Sequence, residues 1–286
     1  MRELGIKIFL LFFALSSLLF LSGIFFTLLS QSIPFFADIS PVKFLTGTKW
    51  YPTHEPTPEF GILPLFLASL QVTLLAMIVA VPLSLGSAIF ISELAPKALK
   101  DIIKPTIELF AGIPSVIYGF IGIVLIAPAI KSIFNLSTGL CALNASFILG
   151  FMALPTITSL AEDAISSVPR DIREASYALG SNHWETVIRA VFPYAKSGIY
   201  SAIILGFARA IGETMTVLMV AGGAAQMTHS YLKPVRPMTA TIAAEMGEAA
   251  SGSIHYHALF SIALVLFIIT LGFNLISEYI RGRAEV

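Results

Sequence analysis

Two charged side chains, Arg209 and Glu213, interrupt a long apolar stretch near the end of the sequence. A charge at mid-bilayer costs at least about 2.5–3.5 kcal/mol, so such a side chain faces a bundle interior or a watery cavity. Their spacing of four predicts that both project from one face of a helix. The donor fork of Arg209 suits an anion in transit, which Glu213 would orient or gate. The alternative is a structural pair of mutually neutralising charges.

The remaining candidate residues point to binding rather than to catalysis. Arg236 lies between Pro234 and Pro237, where it would meet an anion at a pore mouth or a binding protein, or remain a solvated loop charge. Glu245 and Glu248 repel anions, which favours partner contacts or helix packing. The sequence has one cysteine and no P-loop, so we expect no metal, no cofactor and no nucleotide chemistry on this chain, and hence no enzyme.

Membrane helices must hold these side chains. The chain has 286 residues, of which 56% are hydrophobic and 12% are charged, whereas soluble domains average about 25% charged residues. Net charge is zero, so nothing favours nucleic acid. A span needs about 20 apolar residues. The sequence predicts an all-α polytopic membrane protein with six spans, at Ile8 to Leu29, Leu63 to Ile91, Thr106 to Ile130, Leu140 to Leu160, Tyr194 to Ala225 and Ala258 to Tyr279.

The distribution of lysine and arginine predicts the orientation of these spans. With the N-terminus in the cytoplasm, eleven of these residues lie inside and five outside, the latter being Lys43, Lys49, Lys131, Lys233 and Arg236. Both termini are therefore predicted to be cytoplasmic. The proline-rich outer segment 30–62 is predicted to form no regular helix. We divide the chain into an N-terminal helix with this segment, 1–62, and a transmembrane domain, 63–286.

The long inner segment 162–193 is predicted to contain two short surface helices joined at Gly180, a residue suited to a left-handed helix end. Asn182 and Glu185 form a capping-box pattern at the start of the second helix, which Pro193 is expected to close. Apolar residues recur at helical spacing on both helices, namely Ile172, Ala175 and Leu179, then Trp184, Val187 and Val191. This pattern fits either an amphipathic loop on the bilayer or a docking element for a partner protein.

The run from Glu174 to Gly180, E-A-S-Y-A-L-G, resembles the E-A-A-x-x-x-G signature of type I ABC importer permeases. The distal part of that signature, I-x-L-P, is replaced here by A-V-F-P. Two further runs narrow the likeness, G-F-A-R-A-I-G-E-T-M at 206–215 and R-P-M-T-A-T-I-A-A-E-M-G-E at 236–248. Together they resemble phosphate-uptake permeases of the PstC family, and the first is shared in related form with the sister family PstA.

The resemblance implies a MetI-like permease fold in the inner membrane and a heterodimeric pore formed with a PstA-like subunit. It also implies a PstB-like ATPase dimer docked on the inner segment at Glu174, Ala175, Ser176 and Gly180, and a PstS-like phosphate-binding protein outside. Phosphate would then cross by alternating access. Three alternatives remain: a permease for another oxyanion, such as molybdate or sulfate, an ion-coupled secondary transporter, and a membrane-embedded structural or assembly protein.

Overall fold

The computed structural model describes residues 2–54 and 56–282, and these are mostly helical. Six stretches are long and apolar enough to cross a membrane: Phe9–Asp38, Leu63–Leu94, Ser115–Ile133, Ala142–Ser166, His183–Ile211 and Ile254–Ile280. The prediction of an all-α protein with six spans is confirmed. Arg283, one of the residues used to orient the chain, lies outside the described residues.

Thirteen α-helices and one hairpin make up the described chain. The helices are α1 (Arg2–Asp38), α2 (Pro41–Thr46), α3 (Leu63–Ile89), α4 (Lys97–Ala111), α5 (Ser115–Ile121), α6 (Ala127–Ile133), α7 (Ala142–Ser166), α8 (Arg170–Ala178), α9 (His183–Thr186), α10 (Phe192–Ile211), α11 (Met215–Val220), α12 (Met238–Glu245) and α13 (Ile254–Gly282). Strands β1 (Trp50–Tyr51) and β2 (Glu59–Phe60) pair antiparallel. Wider π-helical turns at Phe90–Leu94, Gly122–Ile126 and Val187–Val191 join consecutive helices within three spans.

The outer segment is more ordered than its prolines predict. Helix α1 continues through Pro34 to Asp38, and Pro41 opens α2 at a first-turn position where its missing N–H is not needed. An internal proline costs one helix hydrogen bond. Here it lies beside the fully buried Phe35, which packs edge-on against Phe44 with ring centroids 5.0 Å apart. The prediction of no regular helix in this segment is therefore wrong.

The third span begins later than predicted. The residues from Lys97 to Ala111 form the amphipathic helix α4, which has no buried residue. The chain breaks at Gly112–Pro114, because the residue before a proline disfavours the α conformation. The apolar span is Ser115–Ile133, so the predicted start at Thr106 is wrong.

The fifth span is shifted toward the inner segment. Pro193 does not close a surface helix, because α9, the turn Val187–Val191 and α10 form one continuous helix, His183–Ile211. A π-helical turn changes the hydrogen-bond pattern directly before the proline, which is a recognised way for a helix to admit one. At the other end α10 stops at Ile211, not at Ala225 as predicted.

Helices α3, α7 and α10 form the centre of the bundle, and small residues bring them close together. Gly150 of α7 lies against α3, where an added Cβ would approach Ala76 O to 3.1 Å. Gly206 of α10 lies against Ile157 of α7 in the same way. Small residues at contacts allow helix backbones to approach, which supplies packing energy inside a membrane.

The N-terminal residues pack on the last helix. Helix α1 runs beside α13, with the rings of Phe25 and Phe267 5.7 Å apart. Phe35, Trp50 and Leu259 belong to one buried cluster at the outer end. The described residues before Leu63 thus share a core with later helices, and the division of the chain into 1–62 and 63–286 stays a prediction.

Candidate functional site

Arg209 lies in the last turn of α10, with its side chain exposed on the isolated chain. Within residues 2–54 and 56–282 it makes no side-chain hydrogen bond or ion pair, although its charge acts on Tyr118 of α5. Arg209 and Glu213 border a small cavity with Leu149 and Met152, which lie near the middle of α7. The guanidinium is therefore at mid-depth in the bundle and free to meet a ligand.

Glu213 follows the end of the helix instead of continuing it. Its carboxylate Oε1 accepts a hydrogen bond from Thr216 N at the start of α11, 3.3 Å away, and its carbonyl accepts one from Thr239 Oγ1 at 2.7 Å. The prediction that Arg209 and Glu213 project from one face of a continuous helix is wrong. No ion pair joins them in the described chain, and what they share is the cavity that both border.

The segment after α11 returns into the bundle, although the sequence predicted an outer loop. Helix α12 begins at Met238, whose N–H donates to the buried Ser69 Oγ of α3 at 2.9 Å. Met238, Thr239 and Thr241 are buried. The sequence signal for helix α12 was Pro237, because proline is favoured at a helix start and an apolar run with small polar residues follows it. The break after Ile211 is thus covered by α11 and α12.

Arg236 is bound within the chain instead of being free at a pore mouth. Its Nη1 pairs with Glu245 Oε1 at 2.5 Å, and its Nε donates to Gly223 O at 2.7 Å. The same carboxylate meets Trp50 Nε1 at 3.0 Å and His255 Nε2 at 2.9 Å. Glu245 therefore ties the hairpin, the returning segment, α12 and α13 together, as expected for helix packing. An anion would have to compete with this carboxylate for Arg236.

A large open cavity extends along the inner half of α10. It has a volume of about 940 Å³, and Tyr194, Gly198, Ala202 and Leu205 line it together with residues from the end of α7. These four residues and Arg209 recur at helical spacing on one face of α10. One helix face therefore connects the inner cavity with the guanidinium at mid-depth.

The first surface helix of the inner segment is formed as predicted, whereas the second begins after Asn182 as predicted but continues into the fifth span. Gly180 has a φ of +87° and ends the first helix in the left-handed conformation. The capping box is complete, because Asn182 Oδ1 accepts from Glu185 N at 2.9 Å and Glu185 Oε2 accepts from Asn182 N at 3.0 Å. Ser176 and Thr186 hydroxyls lie 3.0 Å apart and join α8 to α9. Local signals thus fix the shape of this loop.

The predicted apolar faces of these helices divide into a buried and an exposed set. Val187 and Val191 are buried, and Ile172 packs against the bundle. The exposed side chains form what we call the inner apolar patch, namely Tyr177, Leu179, Trp184 and Ile188, with Leu179 88% exposed. Glu174 and Ala175 are exposed beside this patch, whereas Ser176 is half-buried.

A buried carboxylate, unmarked by any sequence motif, holds α4 against α7. Glu162 is 1% exposed and pairs with Lys100 Nζ at 2.7 Å and Lys104 Nζ at 2.6 Å. Burial alone would lower the pKa of Lys104, but hydrogen bonds to Asp163 and Glu162 outweigh it and raise that pKa above its ordinary range. A basic amphipathic helix next to a span that ends in Glu-Asp was the signal for this contact.

This fold and site define a multi-span permease subunit, with an arginine on a helix at mid-depth and an exposed apolar patch at one end. In the described chain no three His, Cys, Asp or Glu residues group as metal ligands. The chain belongs to the family of binding-protein-dependent transport system inner membrane components, whose model matches residues 84–285. It is thus a multi-pass inner membrane protein.

Similar proteins refine this assignment. A probable ABC transporter permease protein, YqgH of Bacillus subtilis (strain 168), is 39% identical over 87% of this chain and 80% of its own length. The phosphate transport system permease protein PstC of Mesorhizobium japonicum is 36% identical over 85% of this chain and 79% of its own. PstC of Pasteurella multocida is 32% identical over 96% of this chain and 90% of its own. The chain is a PstC-type permease.

Solved structures agree on the fold. A crystal structure of the inward-facing MetNI methionine ABC transporter matches with a TM-score of 0.58 at 18% identity, over 76% of this chain and 93% of that one. An amino acid ABC transporter matches with a TM-score of 0.52, also at 18% identity, over 77% and 92%. The predicted MetI-like permease fold is confirmed.

Proposed function

We propose that this chain is one of two pore-forming subunits of an ATP-driven importer that carries inorganic phosphate across the inner membrane by alternating access. The observation that carries the proposal is Arg209, an unpaired guanidinium at mid-depth on the same helix face as the inner cavity. A guanidinium matches the oxygens of phosphate in charge and in planar, bidentate geometry. The substrates named for the PstC relatives support the same anion.

The structure supports a way to couple this site to a partner. The helix His183–Ile211 is continuous from the inner apolar patch to the break after Arg209. At 1.5 Å per residue it is about 43 Å long. A partner that binds the patch differently in two states would shift the equilibrium between two arrangements of this helix. Glu213 lies at the break, and we propose that it gates the substrate when the helix moves.

The partners we propose follow from this arrangement. An ATPase dimer, PstB-like, docks on α8 and α9 through the inner apolar patch with Glu174, Ala175, Ser176 and Gly180. A PstA-like permease completes the pore beside the exposed face of α10. A PstS-like protein delivers phosphate outside. ATP is hydrolysed on the ATPase, so this chain needs no cofactor.

Purification and reconstitution together test the proposal. The chain is purified in mild detergent with its co-expressed partners, and labelled phosphate uptake is measured in proteoliposomes containing ATP. We expect an ATPase to co-purify, and phosphate to enter in competition with unlabelled phosphate but not with sulfate or molybdate. Uptake driven by an ion gradient without an ATPase would overturn the assignment as an ATP-driven importer. Stronger competition by another oxyanion than by phosphate would overturn the assignment of phosphate as the substrate.

We propose that both termini lie in the cytoplasm, which puts the inner apolar patch on the ATPase side. The support is the uneven distribution of lysine and arginine. In a Cys141→Ala background, single cysteines at Thr53 and Ser230 should react with an impermeant thiol reagent added to sealed cells, whereas one at Ser181 should not. Labelling of position 181 from outside would reverse the orientation.

A further inference from the structure

Arg173 of α8 is largely buried against the membrane bundle, whereas the residues of the inner apolar patch are exposed. Its side chain is 19% exposed, whereas Leu179 at the end of the same helix is 88% exposed. Helix α8 therefore presents one side to a partner and inserts one guanidinium into its own chain.

That guanidinium joins α8 to two transmembrane spans. Its Nη2 pairs with Glu93 Oε1 at 2.7 Å, in the π-helical turn that ends the α3 span. The same nitrogen donates to Ile165 O at 3.1 Å, and Nη1 donates to Val168 O. Ile165 lies in the last turn of α7 and Val168 just beyond it, where the carbonyls at a helix end favour a cation.

The attachment of α8 to the bundle depends on few other contacts. Ile172 packs against the inner cluster of the bundle, and this contact is apolar and non-directional. The side chains of Ser176 and Tyr177 bond to α9, within the inner segment itself. In the described chain Arg173 thus makes the directional contacts from α8 to α3 and α7. Because these bonds have a fixed geometry, a movement of α8 would also move α3 and α7. An apolar contact would allow the helices to slide past each other.

We propose that Arg173 is the positioning residue that passes the movement of α8 to α3 and α7, while α9 passes it directly to α10. This inference rests on the proposed function, because it assumes that an ATPase moves α8. Without Arg173 the ATPase still docks on the inner apolar patch, because the exposed side chains of that patch do not bond to Arg173. ATP hydrolysis then continues with less phosphate carried per ATP.

The test measures phosphate uptake and ATP hydrolysis in the same proteoliposomes, with the complete complex. For Arg173→Gln we expect normal ATPase co-purification and a fall in phosphate carried per ATP of about tenfold, within the range of coupling between two sites. In Arg173→Lys, which keeps the charge but has no planar fork, the phosphate carried per ATP should fall less. Glu93→Gln removes the ion pair but leaves the hydrogen bonds of Arg173 to the two carbonyls, so the phosphate carried per ATP should again fall less than in Arg173→Gln. Lys49→Gln breaks an exposed pair with Glu59 and should leave the ratio unchanged.

The outcomes separate this inference from the proposed function. An unchanged ratio in Arg173→Gln, with uptake and hydrolysis intact or reduced equally, would overturn the positioning role. Loss of assembly in both Arg173→Gln and Glu93→Gln would assign Arg173 to folding and would overturn the positioning role as well. Absence of ATPase or of phosphate uptake in the unaltered complex would instead refute the proposed function.

Discussion

Replacing Arg209 by glutamine removes the proposed phosphate ligand while leaving the fold of the chain almost untouched. Arg209 has no hydrogen bond or ion pair to lose within the described residues, and its side chain is exposed. Surface substitutions of this kind change the free energy of unfolding by about 0.5 kcal/mol or less. The complex should therefore assemble with a melting temperature close to that of the unaltered protein.

Uptake should respond far more strongly than stability. A hydrogen bond to a charged group contributes about 1.5–3 kcal/mol, so losing two from a bidentate contact removes about 3 kcal/mol or more. Since about 1.4 kcal/mol corresponds to a factor of ten, phosphate uptake below saturation should fall about a hundredfold. Arg209→Lys keeps the charge and loses the planar fork, so phosphate uptake in this variant should fall about tenfold. Initial rates in proteoliposomes, corrected for assembled complex, measure both.

The double variant Arg209→Gln with Glu213→Gln separates a ligand from a structural charge pair. A structural pair would be restored by removing both charges, because two neutral amides tolerate each other. A substrate ligand would not be restored, and we expect uptake in the double variant to stay as low as in Arg209→Gln. Recovery in the double variant, or full uptake in Arg209→Gln, would refute a direct role for Arg209.

Three further changes test other parts of the structure. Gly180→Val forces a β-branched residue to a φ of +87°, so ATPase co-purification and uptake should both fall while membrane insertion persists; normal association would exclude the loop as the docking element. Glu162→Gln leaves Lys100 and Lys104 without their buried carboxylate partner. Because both lysines are about a third exposed, the free energy of unfolding should fall by about 1–3 kcal/mol, less than the 3–5 kcal/mol typical of a fully buried pair. A lower melting temperature in detergent would show this loss. Gly139→Ala places a Cβ in collision with the backbone oxygen of Ala127 and should prevent stable folding. Gly23→Ala, with nothing within 4 Å of the added Cβ, should be tolerated. Equal melting temperatures of the two variants would contradict the packing.

The sequence predicted best where its signals were local. The glycine end and capping box at 180–185 involve neighbouring residues, so pattern and structure agree. Proline rules failed at Pro34 and Pro193, because packing at one and a π-helical turn at the other sustain the helix. Hydropathy could not place the end of the fifth span at Ile211, because both the helix and the segment after it are apolar.

Contacts between distant parts of the chain were much harder to predict from the sequence. Arg236 and Glu245 were correctly seen as polar residues of one segment, but their partners Trp50 and His255 come from the hairpin and from α13. Glu162 was not singled out, because the burial of a carboxylate is decided by helices that the sequence shows only as separate runs. The fold class was thus readable from composition, whereas the set of residues that meet was not.

The π-helical turn at Val187–Val191 holds one residue more than a regular α-helical turn. Because the extra residue is taken up within the turn, deleting one of its five residues would close it into regular α-helix and leave the helix beyond it close to its present phase. Arg209 would then still face the cavity. Deleting one residue from the regular α-helix between Phe192 and Arg209 would instead rotate one end relative to the other by about 100° and shift it by about 1.5 Å. The turn should therefore accept a single-codon deletion that the rest of this helix would not.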